Sequence, residues 1–187
     1  MKDIIQTVFD NTVKSYERIL ADYYPSHGST GFTERNLTFN FSHNYLIQNP
    51  NTIIWQEVPL EKNGGKNEHF DTLIIDNENK TVLIIEAKRL GTNAKYDSIV
   101  EDLEKIKEKY ASARAVQERL DSGYSLYAML LVDIWIPKKN GEKKENHKTE
   151  FLQIKGDGYF SKPINEEKLS EKETYQLGYK LEKILNV

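Results

Sequence analysis

The stretch from Asp71 to Lys88, Asp-Thr-Leu-Ile-Ile-Asp-Asn-Glu-Asn-Lys-Thr-Val-Leu-Ile-Ile-Glu-Ala-Lys, leaves this chain few ways to fold. Two apolar runs flank the polar Asn77-Glu78-Asn79-Lys80, the pattern of two strands around a turn. A symmetric loop of two or four residues pairs Asp76 with Thr81 and Ile75 with Val82. Carried down the ladder, that register sets Asp71 opposite Glu86 and His69 opposite Lys88. A three-residue loop would slip it by one and part the two acids. Side chains alternate with period two, so Asp71, Glu86 and Lys88 share a face with Leu73, Ile75, Val82 and Ile84. Phe70, Ile74, Leu83 and Ile85 take the other face. Both faces are apolar, so the strands should be covered on both sides. Like charges directly opposite each other in a sheet repel. A divalent cation with oxygen ligands would offset that repulsion; the bland alternative is a solvated, charged hairpin face.

The 187 residues suffice for one domain with a full core. No apolar run approaches a membrane span, and Met1-Lys2-Asp3-Ile4-Ile5 lacks a leader pattern. The absence of cysteine excludes disulfides and thiolate metal sites, and a cytoplasmic location is expected. A net charge of −3 gives no overall basic footprint for nucleic acid. The local basic cluster Lys138-Lys139 to Lys143-Lys144 and Lys148 reads as a solvated loop or a phosphate contact.

In chain order, residues 2–24 form an amphipathic helix through Ile4, Ile5, Val8, Phe9, Tyr16, Ile19, Leu20 and Tyr23. Pro25 to Gly31 break it. A second helix runs from Thr33, its N-cap, to about Gln48. On it Glu34 shares the stripe of Leu37, Phe41 and Tyr45, an unusual place for an acid; a first-turn glutamate favoured by the helix dipole is the alternative. Thr52–Leu60 is a strand with Glu57 on the face of Ile53 and Trp55, and Ile54 and Val58 opposite. A polar loop, 61–68, leads into the hairpin. A long helix is expected over Ala94–Leu120, then the strongest strand, Ser125–Ile136. The helix between them allows a right-handed parallel crossover. A short strand at Phe151–Ile154, a turn at Gly156-Asp157-Gly158 and a final helix from Glu171 to Leu185 complete the expectation.

This order, with Asp71 and Glu86-Ala87-Lys88 on neighbouring strands, resembles the PD-(D/E)XK nuclease superfamily. The resemblance covers residues 33–136 of a single domain spanning 1–187. It implies an α/β, restriction-endonuclease-like αβββαβ core: a mixed central sheet flanked by helices, with an N-terminal and a C-terminal helix added. It implies a nuclease that hydrolyses phosphodiester bonds in DNA with Mg²⁺ or Mn²⁺. Asp71 and Glu86 would ligate the metal, with Glu34 and the Ala87 backbone carbonyl as further ligands and Glu57 as a weaker candidate. Lys88 would position the attacking water and stabilise developing charge. Phe70 stands where the motif has proline. The helix after the motif carries Tyr96, Asp97 and Asp102 instead of the glutamine pattern of several exonuclease branches. A non-catalytic nucleic-acid- or protein-binding module, and an RNA-cleaving toxin-like enzyme, remain open. At this size a homodimer or a partner subunit would complete a specific duplex cutter.

Overall fold

A computed structural model describes residues 1–22, 32–59, 69–90, 93–108, 114–137, 141–164 and 173–184. It is an α/β arrangement around a mixed six-stranded sheet. The elements are α1 (Lys2–Asp22), α2 (Glu34–Gln48), β1 (Thr52–Pro59), β2 (His69–Asp76), β3 (Thr81–Arg89), α3 (Asn93–Glu108), α4 (Arg114–Leu120), β4 (Ser125–Pro137), α5 (Glu142–Gln153), β5 (Asp157–Phe160) and β6 (Glu173–Ile184). The sheet order is β1-β2-β3-β4-β6-β5. Only β3 and β4 run parallel among the described strands; every other pairing is antiparallel.

The hairpin forms in the register its loop dictates. Asp76 pairs with Thr81, Ile75 with Val82 and Thr72 with Ile85. Asp76 sets the turn: its Oδ1 accepts from the amides of Glu78 (3.1 Å) and Asn79 (2.9 Å), and Lys80 takes the left-handed conformation (φ 48°). Tyr45 Oη donates to Asp76 Oδ2 at 2.8 Å, which ties the C-terminal end of α2 to the turn.

The sheet is covered on both sides. On the back face, α1 and α2 bury Ile5, Val8, Phe9, Tyr16, Leu37, Phe41 and Tyr45 against Ile74, Leu83, Ile85 and Leu131. On the front face, Ile99, Leu103 and Ile106 of α3, Val116 of α4 and Phe151 of α5 pack on Leu73, Ile75, Val82, Ile84, Leu130 and Val132. No helix among the described residues is long and apolar enough to cross a membrane.

Several expectations need correction. The C-terminal segment is a strand, β6, not a helix; twelve of its residues pair antiparallel with β4. The sequence Tyr175-Gln-Leu-Gly-Tyr-Lys-Leu puts Tyr175, Leu177, Tyr179 and Leu181 on the back face by strict alternation. Gly178, between Leu177 and Tyr179, faces the front, where the Phe160 ring of β5 lies against it and a Cβ would meet that ring at 2.5 Å. The strand expected at Phe151–Ile154 is the end of α5, and the turn expected at 156–158 opens into β5. The basic cluster is partly helical: Lys144 lies in α5 and its Nζ donates to the Trp135 carbonyl (2.6 Å), while Lys148 pairs with Glu145. The expected long helix contains α3 and α4, with residues 109–113 outside the described part. The break at 25–31, the loop at 61–68, Lys138 and Lys139, and the side chains of Tyr96, Asp97 and Lys143 also lie outside it.

The last correction concerns β1. Val58 and Phe70 join the front cluster, although Ile54 and Ile74 pack on the back. Glu57 explains the change of side. Its φ is +54°, and the ladder passes from Gln56↔Thr72 to Val58↔Phe70, skipping Glu57 and Asp71. A left-handed residue in a strand turns the chain beyond it to the other face.

Candidate active site

Three elements bring the acids together. The β2–β3 ladder closes at Thr72↔Ile85, so Asp71 and Glu86 face each other one step past its last pair. Asp71 Oδ2 accepts from the Ala87 amide at 2.8 Å, in place of a further ladder bond. Glu34, in the first turn of α2, reaches the same end of β3, where its Oε1 accepts from the Arg89 amide at 3.2 Å. Thr33 caps the helix, its Oγ1 accepting from the Asn36 amide. With Tyr45 fixed on Asp76, α2 is held at both ends, and Glu34 is placed by the hairpin itself.

Glu86 is buried, and its Oε1 has no hydrogen-bond partner among the described residues. Burial first, then the charges of Asp71 and Asp102, push its pKa up to about 9 against the pull of Lys88 and an amide hydrogen bond from Asp71. Burial also raises Asp71, with Glu34 and Glu57 adding to the effect and the Ala87 amide and Lys88 opposing it. Two carboxylates are thus held in a site that disfavours their ionised forms.

Lys88 has the opposite fate. Burial works against its ammonium, but Asp102, Glu34 and Glu86 outweigh that, and its pKa is raised. Asp102 of α3 is the direct partner: its Oδ2 lies 3.2 Å from Lys88 Nζ, and its Oδ1 accepts from Lys105 Nζ at 3.0 Å. Asp102 is itself buried.

The next residue, Arg89, turns to the back of the sheet. Its Nε and a terminal nitrogen donate to Asp133 of β4 at 3.0–3.3 Å, and the same terminal nitrogen donates to the Phe32 carbonyl. Tyr175 Oη donates to Asp133 Oδ2 at 3.1 Å. Arg89 is therefore anchored where its amide holds Glu34.

Of the residues singled out from sequence, the structure brings Asp71, Glu86, Ala87, Lys88 and Glu34 to one end of the sheet. It is the Ala87 amide that has a defined role there. Glu57 is committed elsewhere: its Oε1 lies 3.1 Å from Arg35 Nε and its Oε2 2.6 Å from His69 Nε2. It acts on Asp71 through its charge. His69 pairs with Pro59 of β1 on one side, and the β2–β3 ladder, which ends at Thr72↔Ile85, does not extend as far as His69 and Lys88. Asp102, Arg89 and Asp133 were not picked out as site residues from sequence. Asp102 shares the inward stripe of Ile99, Leu103 and Ile106, the same signal that marks Glu34.

Among the described residues no three His, Asp or Glu side chains form a ready-made metal cage. A hard cation such as Mg²⁺ needs less, since it is bound through one or two carboxylates and keeps several waters beside substrate phosphates. The unpartnered Glu86 Oε1 next to the half-buried Asp71 carboxylate fits that requirement. No family model, no curated protein and no solved structure matches the chain.

Proposed function

We propose that this chain is a metal-dependent nuclease of the restriction-endonuclease-like fold, hydrolysing phosphodiester bonds in DNA at the end of β3. The observation that carries the reading is Glu86: a buried carboxylate with one unpartnered oxygen, beside Asp71 and two residues from a lysine held by its own acid. A structural ion pair would satisfy those oxygens; a ligand site leaves them open. The order α2-β1-β2-β3-α3-α4-β4, with acids on adjacent β2 and β3, supports the same reading.

Asp71 and Glu86 would hold the Mg²⁺ or Mn²⁺, with Glu34 contributing negative field from α2. When bound, the ion supplies Lewis acidity at the scissile phosphate. To serve as a ligand Glu86 would have to be ionised, its proton released to solvent. Lys88 stays protonated under the charge of Asp102, so its task is to face the negative charge that develops on the phosphate oxygens. A neutral lysine base would need the opposite shift. Asp102 fixes the ammonium in place, so no reorientation is needed in the transition state.

Glu86→Ala tests the assignment. It should abolish Mg²⁺- or Mn²⁺-dependent cleavage of linear and circular DNA while the protein stays folded by circular dichroism. Full cleavage by that variant overturns the reading. Calorimetry separates the non-catalytic alternative: a binding module without a metal site gives no Mg²⁺ heat that depends on Glu86.

A further inference from the structure

Among the described strands β1 lies at the edge of the sheet, and on it Trp55 and Ile53 are each 47% exposed. Trp55 stands directly across from buried Leu73, and Leu73 from Ile84. Directly paired residues project from the same face. Trp55 therefore lies on the front face, and Glu86 lies two residues beyond Ile84 along β3. Strand spacing and rise put Trp55 about 12 Å from Glu86, roughly one to two nucleotide steps of an extended strand. The same face carries Lys88, and Lys105 of α3 joins it on Asp102. The exposed indole at the sheet edge thus lies on the same side of the sheet as the two lysines and the carboxylate pair, with buried Leu73 and Ile84 between them.

We propose that Trp55 is a stacking platform for a nucleobase of an unpaired strand, so that the substrate class of this site is single-stranded nucleic acid or a frayed end. The inference rests on the nuclease reading above. A base within an intact duplex is stacked on its neighbours and offers no free face to the indole. A single strand does, and aromatic side chains combined with cations are how unpaired strands are bound without sequence preference. Ile53 extends the apolar floor on the side of Trp55 away from the carboxylates.

The chain has two tryptophans, and the other, Trp135, is buried with Phe32 and Tyr175. Trp55 is therefore the indole that a bound base can reach, and its fluorescence reports stacking directly. The test titrates a dT oligonucleotide and a blunt duplex into the Glu86→Ala protein, without added metal, so that nothing is cut. Quenching by dT that exceeds quenching by duplex supports the proposal. Adding Trp55→Ala should weaken dT binding about tenfold to a hundredfold, read by anisotropy of labelled dT. Trp55→Phe should recover most of that loss. Equal dT affinity with and without Trp55 overturns the proposal. So does a Trp55 emission that shifts with protein concentration alone, which would mark the edge as a contact between two copies. A protein that binds dT through Trp55 but cuts nothing fails the catalytic reading only. One that cuts duplex regardless of Trp55 fails this inference only.

Discussion

Lys88 and Arg89 are neighbours on β3, and each meets a buried aspartate on its own side of the sheet. The two sides are built differently. At the back, Arg89 lays a nitrogen fork on Asp133, and Tyr175 adds a third donor. Burial raises the Asp133 pKa, and those donors hold it back. At the front, Lys88 meets Asp102, but Glu86 and Asp71 sit nearby as carboxyls whose ionisation the described partners do not offset, so the pKa of each is raised. One side is a closed account of hydrogen bonds that holds β3, β4 and β6 together; the other has a carboxylate oxygen left over. The difference separates a brace from a site that awaits a ligand.

The back side should break first under mutation. Arg89→Met leaves Asp133 buried with Tyr175 as its remaining donor, and should cost about 3–5 kcal/mol of stability in urea unfolding. Combining it with Asp133→Leu should recover most of that, since an apolar pair of similar volume replaces a buried ion pair at little cost. If the double variant is no more stable than the single one, the brace is not an ion-pair device and the contrast with the front fails.

At the front the effect should fall on rate. Asp102→Asn removes the counter-charge that holds Lys88 and should lower kcat of Mg²⁺-dependent cleavage about tenfold to a hundredfold, with KM little changed. Steady-state kinetics on one oligonucleotide substrate checks this. A loss confined to KM would place Lys88 in substrate binding instead.

How much of this was legible beforehand follows from how local each signal is. The Asp71/Glu86 register could be read because the turn and both strands lie within the contiguous stretch from His69 to Arg89, and a symmetric loop fixes everything after it. Glu34 could be read from a helical stripe. Asp102 gives the same stripe signal, beside Ile99, Leu103 and Ile106. The contact between Asp133 and Arg89 joins strands separated by two helices, and nothing in the sequence sets their relative register. The kink at Glu57 was invisible for a plainer reason: a non-glycine residue at φ +54° is chosen by its surroundings, here Arg35 and His69, against its own preference. For β6, a helical reading rests on Tyr175, Leu181 and Ile184, whereas alternation leaves Ile184 on the opposite face from Tyr175 and Leu181. The alternation through Leu177 and Tyr179 decides for the strand, because it puts all four residues against the back cluster.

The pH dependence sharpens the contrast next. The folded-state pKa of Glu86 is raised from the model-peptide value near 4.5 to about 9, so the folded protein binds a proton that the unfolded chain has released. Metal-free stability should therefore fall as pH rises from about 4.5 towards 9, with a slope of at most about 1.4 kcal/mol per pH unit from this group. Asp71 and Asp133 are raised too and contribute in the same direction. Glu86→Gln isolates the front-side share: its stability should decline less steeply over that range. Because the cation needs the ionised carboxylate, the gain in melting temperature on adding Mg²⁺ should grow with pH in the parent and be small in Glu86→Gln. Equal slopes in both proteins would mean that Glu86 is not the strained group.

The smallest effect is expected at Glu57, and it decides whether that acid belongs to the metal site at all. Its partners, Arg35 and His69, are well exposed, and such pairs contribute roughly 0–1 kcal/mol. Its left-handed backbone costs an L-residue about 1–2 kcal/mol, a cost that glycine does not bear. Glu57→Ala loses the ion pairs and keeps the backbone cost; Glu57→Gly loses the same pairs and relieves it. The glycine variant should therefore be the more stable of the two by about 1 kcal/mol. Both should keep Mg²⁺-dependent cleavage within a few-fold of the parent, because Glu57 reaches Asp71 only through its charge. Removing that charge should lower the Asp71 pKa, so any change in metal affinity follows the lost repulsion and is the same for both variants. Loss of cleavage in both, with folding intact, would return Glu57 to the ligand set and extend the open site from β3 across β2 to the edge strand.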